Sequence, residues 1–65
     1  MEQLVELILW EQVQLEYKYP KEDNNNGYTY GLNLLDNGDI IDVQWFESDQ
    51  ERFDYIKNNN LKLTT

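Results

Sequence analysis

The tetrapeptide Asp36-Asn37-Gly38-Asp39, with an apolar run on each side, constrains the fold of this chain more than any other part of its sequence. Asn-Gly is the preferred pair of a two-residue type I′ hairpin turn, in which both central residues have positive φ. Segment 28–35 carries Tyr and Leu at alternate positions, and segment 40–46 is rich in β-branched and aromatic residues. The sequence therefore predicts two antiparallel strands joined at Asn37-Gly38.

A helix is predicted directly after this hairpin. Ser48-Asp49-Gln50-Glu51 matches a capping box, in which the Ser hydroxyl accepts a hydrogen bond from the third helical N–H group. A helix over about 49–57 would place Phe53 and Ile56 inward, three residues apart. The Asn run at 58–60 is expected to end it.

The N-terminal third fits two patterns. The first eleven residues are rich in Leu, Glu and Gln, which favour a helix over about 2–11. Odd-numbered positions from Val5 onward are also mostly apolar, so a long bent strand is the alternative. Segment 13–19 continues that alternation and is predicted to be a half-buried strand ending before Pro20.

Together these elements predict an α+β fold. It consists of a small antiparallel sheet of three or four strands, the helix at about 49–57 and the helix at about 2–11, with Leu61 and Leu63 in a short last strand. Sixty-five residues are enough for one small acidic domain, 1–65. The chain has no cysteine, so no disulfide or thiolate–metal site can brace it, and a reducing cytoplasmic setting is predicted.

The negative charge of the chain is concentrated in one segment. The net charge is −8, and segment 36–54 holds seven acids and one base, Arg52, so it carries −6 of that total. Such a charge repels nucleic-acid phosphates and anionic membranes, and it steers basic proteins toward the chain. We predict a basic protein partner, with no direct nucleic acid binding and no membrane association; solubility alone is the alternative explanation of the charge.

The chain lacks the side chains on which most catalytic sites depend. It has no Cys, no His and a single Ser, Ser48, which the helix cap uses. Cys–His and Ser–His nucleophilic pairs and most transition-metal sites are therefore excluded. Of two possible calcium-loop frames, one starts at Glu22 and ends on Asn33 without the bidentate acid, and the other, from Asp36, puts Ile40 at a ligand position. We predict no enzyme activity, no catalytic residue, no cofactor and no metal site.

Two large aromatic residues lie inside the charged segment. Trp45 and Phe46 are consecutive on a predicted strand, so their side chains point to opposite faces of the sheet. One helix on each face would bury both, whereas an N-terminal strand would leave one of them as an exposed anchor. Because aromatics beside acids suit a basic partner, the predicted partner-binding residues are Asp36, Asp39, Asp42, Trp45, Phe46 and Glu47.

The predicted function is that of a non-enzymatic acidic protein-binding module. In size, charge and lack of catalytic residues, the chain is similar to the small acidic inhibitors made by bacteriophages and mobile elements, a likeness that covers no motif. It implies an inhibitor or regulator that occupies the basic, nucleic-acid-binding surface of a partner, as a DNA mimic does. The alternative is a structural homo-oligomer or assembly subunit held together by its sheet edge and its aromatic residues.

Overall fold

The computed structural model describes residues 2–64, and within them the chain forms four strands and two helices. In chain order they are β1 (Leu4–Leu9), α1 (Trp10–Tyr17), β2 (Tyr30–Asp36), β3 (Asp39–Phe46), α2 (Asp49–Asn58) and β4 (Lys62–Leu63). The strands make one sheet in the order β3-β2-β1-β4. The predicted α+β class is confirmed.

The sheet is mixed rather than purely antiparallel. β1 pairs antiparallel with β2, and β2 pairs antiparallel with β3. β4 runs parallel to β1, because α2 carries the chain back across the sheet before β4 begins. The two edges of the sheet are therefore the eight-residue β3 and the two-residue β4.

The predicted hairpin is confirmed. Asn37 has φ of 53° and Gly38 has φ of 83°, as a type I′ turn requires. The ladder pairs Asp36 with Asp39, and beyond a β-bulge it pairs Leu34 with Asp42. Ile41 is therefore the extra residue of the bulge, which sequence alternation alone did not predict.

The predicted helix over 2–11 is wrong, and the alternative, a long bent strand, is correct only over residues 4–9. Residues 4–9 form β1 instead of a helix over 2–11, because this segment pairs with β2 on one side and β4 on the other, and such pairing overrides helix propensity. Segment 13–19 is not a strand, since residues 10–17 form α1. The Gln12 side chain accepts a hydrogen bond from the N–H group of Leu9 at 3.0 Å where this helix begins. Lys18, with φ of 58°, ends it in the left-handed conformation.

The predicted C-terminal helix is confirmed, with one error in its inward face. Ser48 Oγ accepts a hydrogen bond from the N–H group of Glu51 at 3.2 Å, so the cap is present. Ile56 is buried as predicted. Phe53 is 42% exposed, and Arg52 takes the inward position instead.

The two faces of the sheet are covered unequally. On one face, here called the α2 face, Val5 and Leu32 are fully buried and pack with Ile56. The opposite face, called the α1 face, carries Ile8 and Trp45 and is covered in part by α1, none of whose residues is buried. No helix within residues 2–64 has the length and hydropathy needed to cross a membrane.

Candidate functional site

The exposed half of the edge strand β3 is the candidate site. Its first five residues, 39–43, are all exposed, and its outer side has no neighbouring strand among residues 2–64. An edge strand presents unpaired backbone N–H and C=O groups that can pair with another chain. The opposite edge is only two residues long, so β3 offers most of the open edge of the sheet.

The β-bulge brings three acidic side chains to one face. Asp39 and Asp42 are three residues apart, a spacing that would put them on opposite faces of a regular strand. Because Ile41 is inserted between them, they pair with Asp36 and Leu34, which share the α2 face. We call the exposed set Asp36, Asp39 and Asp42 the acidic edge.

Asp42 is held against its own strand by two hydrogen bonds. Its Oδ1 accepts from the backbone N–H group of Val43 at 2.8 Å, and its Oδ2 accepts from Nε2 of Gln44 at 3.4 Å. A charge held in this way on an edge strand is one of the devices by which proteins discourage unwanted strand pairing. Asp42 therefore holds a negative charge beside the open edge of the sheet.

The α1 face of the same strand is apolar. Ile40 is 60% exposed and Val43 is 38% exposed, and they lie along the strand from Trp45. Between this face and α1 lies an open groove of ≈ 390 Å³. Its aromatic lining residues are Trp10, Tyr17, Tyr19 and Trp45.

Trp45 and Phe46 point to opposite faces as predicted, and each is half-buried against a helix or its flank. Trp45 makes an edge-on contact with Trp10, with ring centroids 5.3 Å apart. Phe46 packs against Tyr55 of α2 at 5.2 Å. The N-terminal segment is a strand, yet neither aromatic residue is left as an exposed anchor, because α1 follows that strand and brings Trp10 onto Trp45.

Glu47 lies apart from the acidic edge. It follows the end of β3, five residues from Asp42, or roughly 16 Å at the usual strand rise. Hydrogen bonding to its carboxylate and the charge of that carboxylate raise the pKa of Tyr28 above its ordinary value, with smaller contributions from desolvation and from the charge of Glu51. The structure thus groups three of the four predicted acids and places the fourth at the other end of the strand.

The one base of the acidic segment is withdrawn from the surface. Arg52 has a side chain only 7% exposed, and its Nη2 donates to Oδ1 of Asp49 at 2.6 Å. The other six acids of segment 36–54 are exposed. The exposed charged side chains of this segment are therefore all negative, because its one cation faces the interior and pairs with Asp49.

The aromatic groove is the part of the site that sequence reasoning missed. Its signal was the spacing of Trp10, Val13 and Tyr17, which fall three and four residues apart and share one face of α1. The alternation of Val13, Leu15 and Tyr17 instead predicts a strand over 13–19, which leaves Trp10 outside it. Leu15 is 77% exposed, which shows that alternation was the wrong period.

Within residues 2–64, no three acidic side chains come together closely enough to hold a metal ion.

Comparisons of the chain with protein-family models, with curated proteins and with solved structures found no match.

Proposed function

We propose that this chain is a non-enzymatic acidic protein-binding module that docks a basic surface of a partner protein through β3. The observation that carries the proposal is the division of one exposed edge strand into two faces. Asp39 and Asp42 lie on one face, and Ile40 and Val43 on the other. A surface of this kind offers charge for orientation and apolar area for retention.

The charge distribution supports a basic partner. Exposed acids of segment 36–54 lack an exposed cation among them, since Arg52 is buried. Charges arranged in this way raise the rate of encounter with a positively charged surface, and they do so most strongly at low salt. A nucleic-acid enzyme is the partner class that best fits, and the chain would then act as a phage-type inhibitor in the cytoplasm, mimicking the charge of DNA.

The apolar surface supports a role in binding rather than solubility alone. Only three hydrophobic side chains among residues 2–64 are buried, namely Val5, Leu32 and Ile56, whereas Ile40 and Ile41 of the edge strand are each about three-fifths exposed. If the acids served only solubility, there would be no reason for exposed aliphatic side chains to lie beside them, whereas an apolar patch next to charges is typical of a binding surface. Of the six predicted partner-binding residues, Asp36, Asp39 and Asp42 belong to this surface, and we add Ile40 and Val43 as its exposed apolar contacts. Trp45 and Phe46 pack against Trp10 and Tyr55, and Glu47 follows the far end of β3, so their part in binding stays a prediction.

A homo-oligomer is the second candidate, because an open edge with exposed aliphatic residues also suits self-association. The acidic edge opposes it. Two copies of β3 paired with each other would bring Asp39 and Asp42 of both copies close together, and like charges facing one another across strands are destabilising. Sedimentation of the full chain over a concentration series separates the two functions, since the proposed module is a monomer without its partner.

The test of the proposed function is capture of partner proteins by the tagged full chain over a salt series. The variant Asp39→Asn/Asp42→Asn/Glu47→Gln should capture the same protein more slowly, with a weaker dependence on salt. The matched control, Glu11→Gln/Glu22→Gln/Asp54→Asn, changes the net charge equally at exposed sites away from β3. Equal association by both variants at low salt would show that the charge acts only through its total.

A further inference from the structure

We infer, on the basis of the proposed function, that the partner is bound by strand addition. A segment of the partner in extended conformation would lie alongside β3 as a fifth strand of the sheet. Its recognition sequence would alternate basic and apolar residues. The juxtaposition of an open edge, an acidic face and an apolar face on one eight-residue strand leads to this inference.

The outer side of β3 offers its backbone for pairing with another strand. β3 is paired only with β2 in the described part of the chain, so no strand pairs with its outer side, although the N–H group of Val43 already donates to the Asp42 carboxylate. Addition of a peptide strand to such an edge is a recurring mode of recognition, in which the main chain gives affinity and alternate side chains give specificity. Residues 39–43, the exposed end of β3, are the segment available for it.

The side chains define the incoming sequence. Residues directly opposite one another on paired strands share a face. Since the bulge places Asp39 and Asp42 opposite Asp36 and Leu34, which are two residues apart, a regular incoming strand would meet both acids with residues at a spacing of two. Those residues would be Lys or Arg. The intervening residues would meet Ile40 and Val43 and would be apolar.

The hydrogen bonds of Asp42 make the edge selective. Its carboxylate occupies the N–H group of Val43, so an incoming strand must displace or accommodate that contact. A basic residue next to Asp42 offers the carboxylate a new partner, whereas an acidic or neutral residue leaves a charge crowded beside an apolar strand. A second copy of this chain brings acids to the same position and is the less suitable occupant.

The test uses two synthetic octapeptides with blocked ends, which have the same composition and charge. One alternates Lys and Val, and the other repeats Lys-Lys-Val-Val. Each is titrated into the isotope-labelled full chain, and the affinity is measured from amide shifts of residues 39–46. The alternating peptide should bind about tenfold more tightly, because it alone presents all its Lys residues to the acidic edge.

Backbone methylation separates strand addition from attraction between charges. Successive amides of a strand point to opposite edges. Of two alternating peptides, N-methylated either on every Lys or on every Val, one should therefore lose binding and the other should keep it. Asp39→Asn/Asp42→Asn should weaken binding of the unmodified alternating peptide at low salt, with its fold checked by circular dichroism.

The possible failures are distinguishable. If both octapeptides bind equally and both weaken in the Asp39→Asn/Asp42→Asn variant, docking by charge stands and strand addition is refuted. If both methylated peptides bind as well as the parent, strand addition is also refuted. Failure of the alternating peptide to bind refutes the inference, while the proposed function is decided separately by partner capture. Sedimentation of the unliganded chain as a dimer would assign the edge to self-association.

Discussion

Arg52 of α2 donates a hydrogen bond from Nη1 to the backbone carbonyl oxygen of Gly31 at 3.2 Å, so a buried cation ties the helix to the middle of the sheet. The same nitrogen donates to the carbonyl of Ile8, also at 3.2 Å, and Nη2 donates to Asp49. The guanidinium lies 5.2 Å from the ring centroid of Tyr30. Its Nε has no hydrogen-bond partner among the described residues, so the buried cation is incompletely satisfied.

Arg52→Ala is expected to lower the free energy of unfolding by about 3–5 kcal/mol, because it removes the buried donor from two carbonyl groups and leaves a cavity. Arg52→Lys should recover only part of this loss, since an ammonium lacks the planar fork of donors. Asp49→Asn should cost less than about 1 kcal/mol, because Asp49 is largely exposed. Urea unfolding measures all three, and an unchanged midpoint for Arg52→Ala would contradict the structural role.

Gly31→Ala is expected to destabilise the fold by about 1–3 kcal/mol through overpacking. A Cβ atom at this position would stand 2.7 Å from Cζ3 of Trp45 and 2.8 Å from Cγ2 of Ile8, well inside van der Waals contact. The cost should shrink in a Trp45→Leu background, where one of the two obstacles is gone. A thermal-unfolding cycle with additive effects would mean that the indole does not lie against Gly31.

Gly38→Val should destabilise the hairpin by about 1–3 kcal/mol, because a β-branched residue resists positive φ. Apart from Gly38 and its two chain neighbours, no atom of residues 2–64 lies within 4 Å of a Cβ built on Gly38, so the effect isolates backbone conformation from crowding. Gly38→Asn is the matched control, since Asn tolerates the left-handed region. The midpoint of thermal unfolding should be much higher for Gly38→Asn than for Gly38→Val, and equal midpoints would contradict the turn assignment.

Ser48→Ala should cost about 1 kcal/mol, because the N–H group of Glu51 then loses its acceptor at the start of α2. Ser48→Asp should keep most of the stability, since a carboxylate accepts the same bond and favours the positive end of the helix dipole. Chemical unfolding decides between them. If the Ser48→Ala variant and the parent chain are equally stable, Ser48 does not stabilise the start of α2.

The contact between Tyr28 and Glu47 should be visible in an alkaline titration. Hydrogen bonding to Glu47 raises the pKa of Tyr28 in the folded chain. The contact therefore contributes fully to the free energy of unfolding below the ordinary tyrosine pKa of about 10, and this contribution is lost as the pH rises through the pKa of Tyr28 in the folded chain. Glu47→Gln should bring the pKa of Tyr28 down toward its ordinary value. Glu51→Gln, which removes only the weaker charge effect, should lower it less.

Phenolate absorbance of each variant, with the Tyr28→Phe chain subtracted, measures this pKa. An identical Tyr28 titration in the Glu47→Gln variant would show that the hydrogen bond does not form in solution.

The second half of the chain was predictable because its signals are local. Asn37-Gly38 determines the hairpin through its own φ angles, and Ser48 determines the helix start through one bond to Glu51. Residues 4–17 were not predictable in the same way. Leu4–Leu9 consists of residues compatible with helix, and it becomes a strand because two other strands, distant in sequence, pair with it.

The candidate site was partly predictable for the same reason. Composition alone located the acids, and alternation correctly separated Trp45 from Phe46. The bulge at Ile41 has no signature in the residues around it, yet it decides which acids share a face. The burial of the Arg52 side chain was not predictable either, because a charged residue among acids near the start of a helix is usually exposed to solvent.

The unequal edges of the sheet limit how this chain can assemble. A strand added at β3 has one open side of its own, but that added strand belongs to the partner. At the other edge of the sheet, the two-residue β4 is too short to pair with a second added strand. Growth from one end only cannot propagate from copy to copy. Complexes formed through this edge should therefore have a stoichiometry of one to one and a finite size, even when both proteins are concentrated.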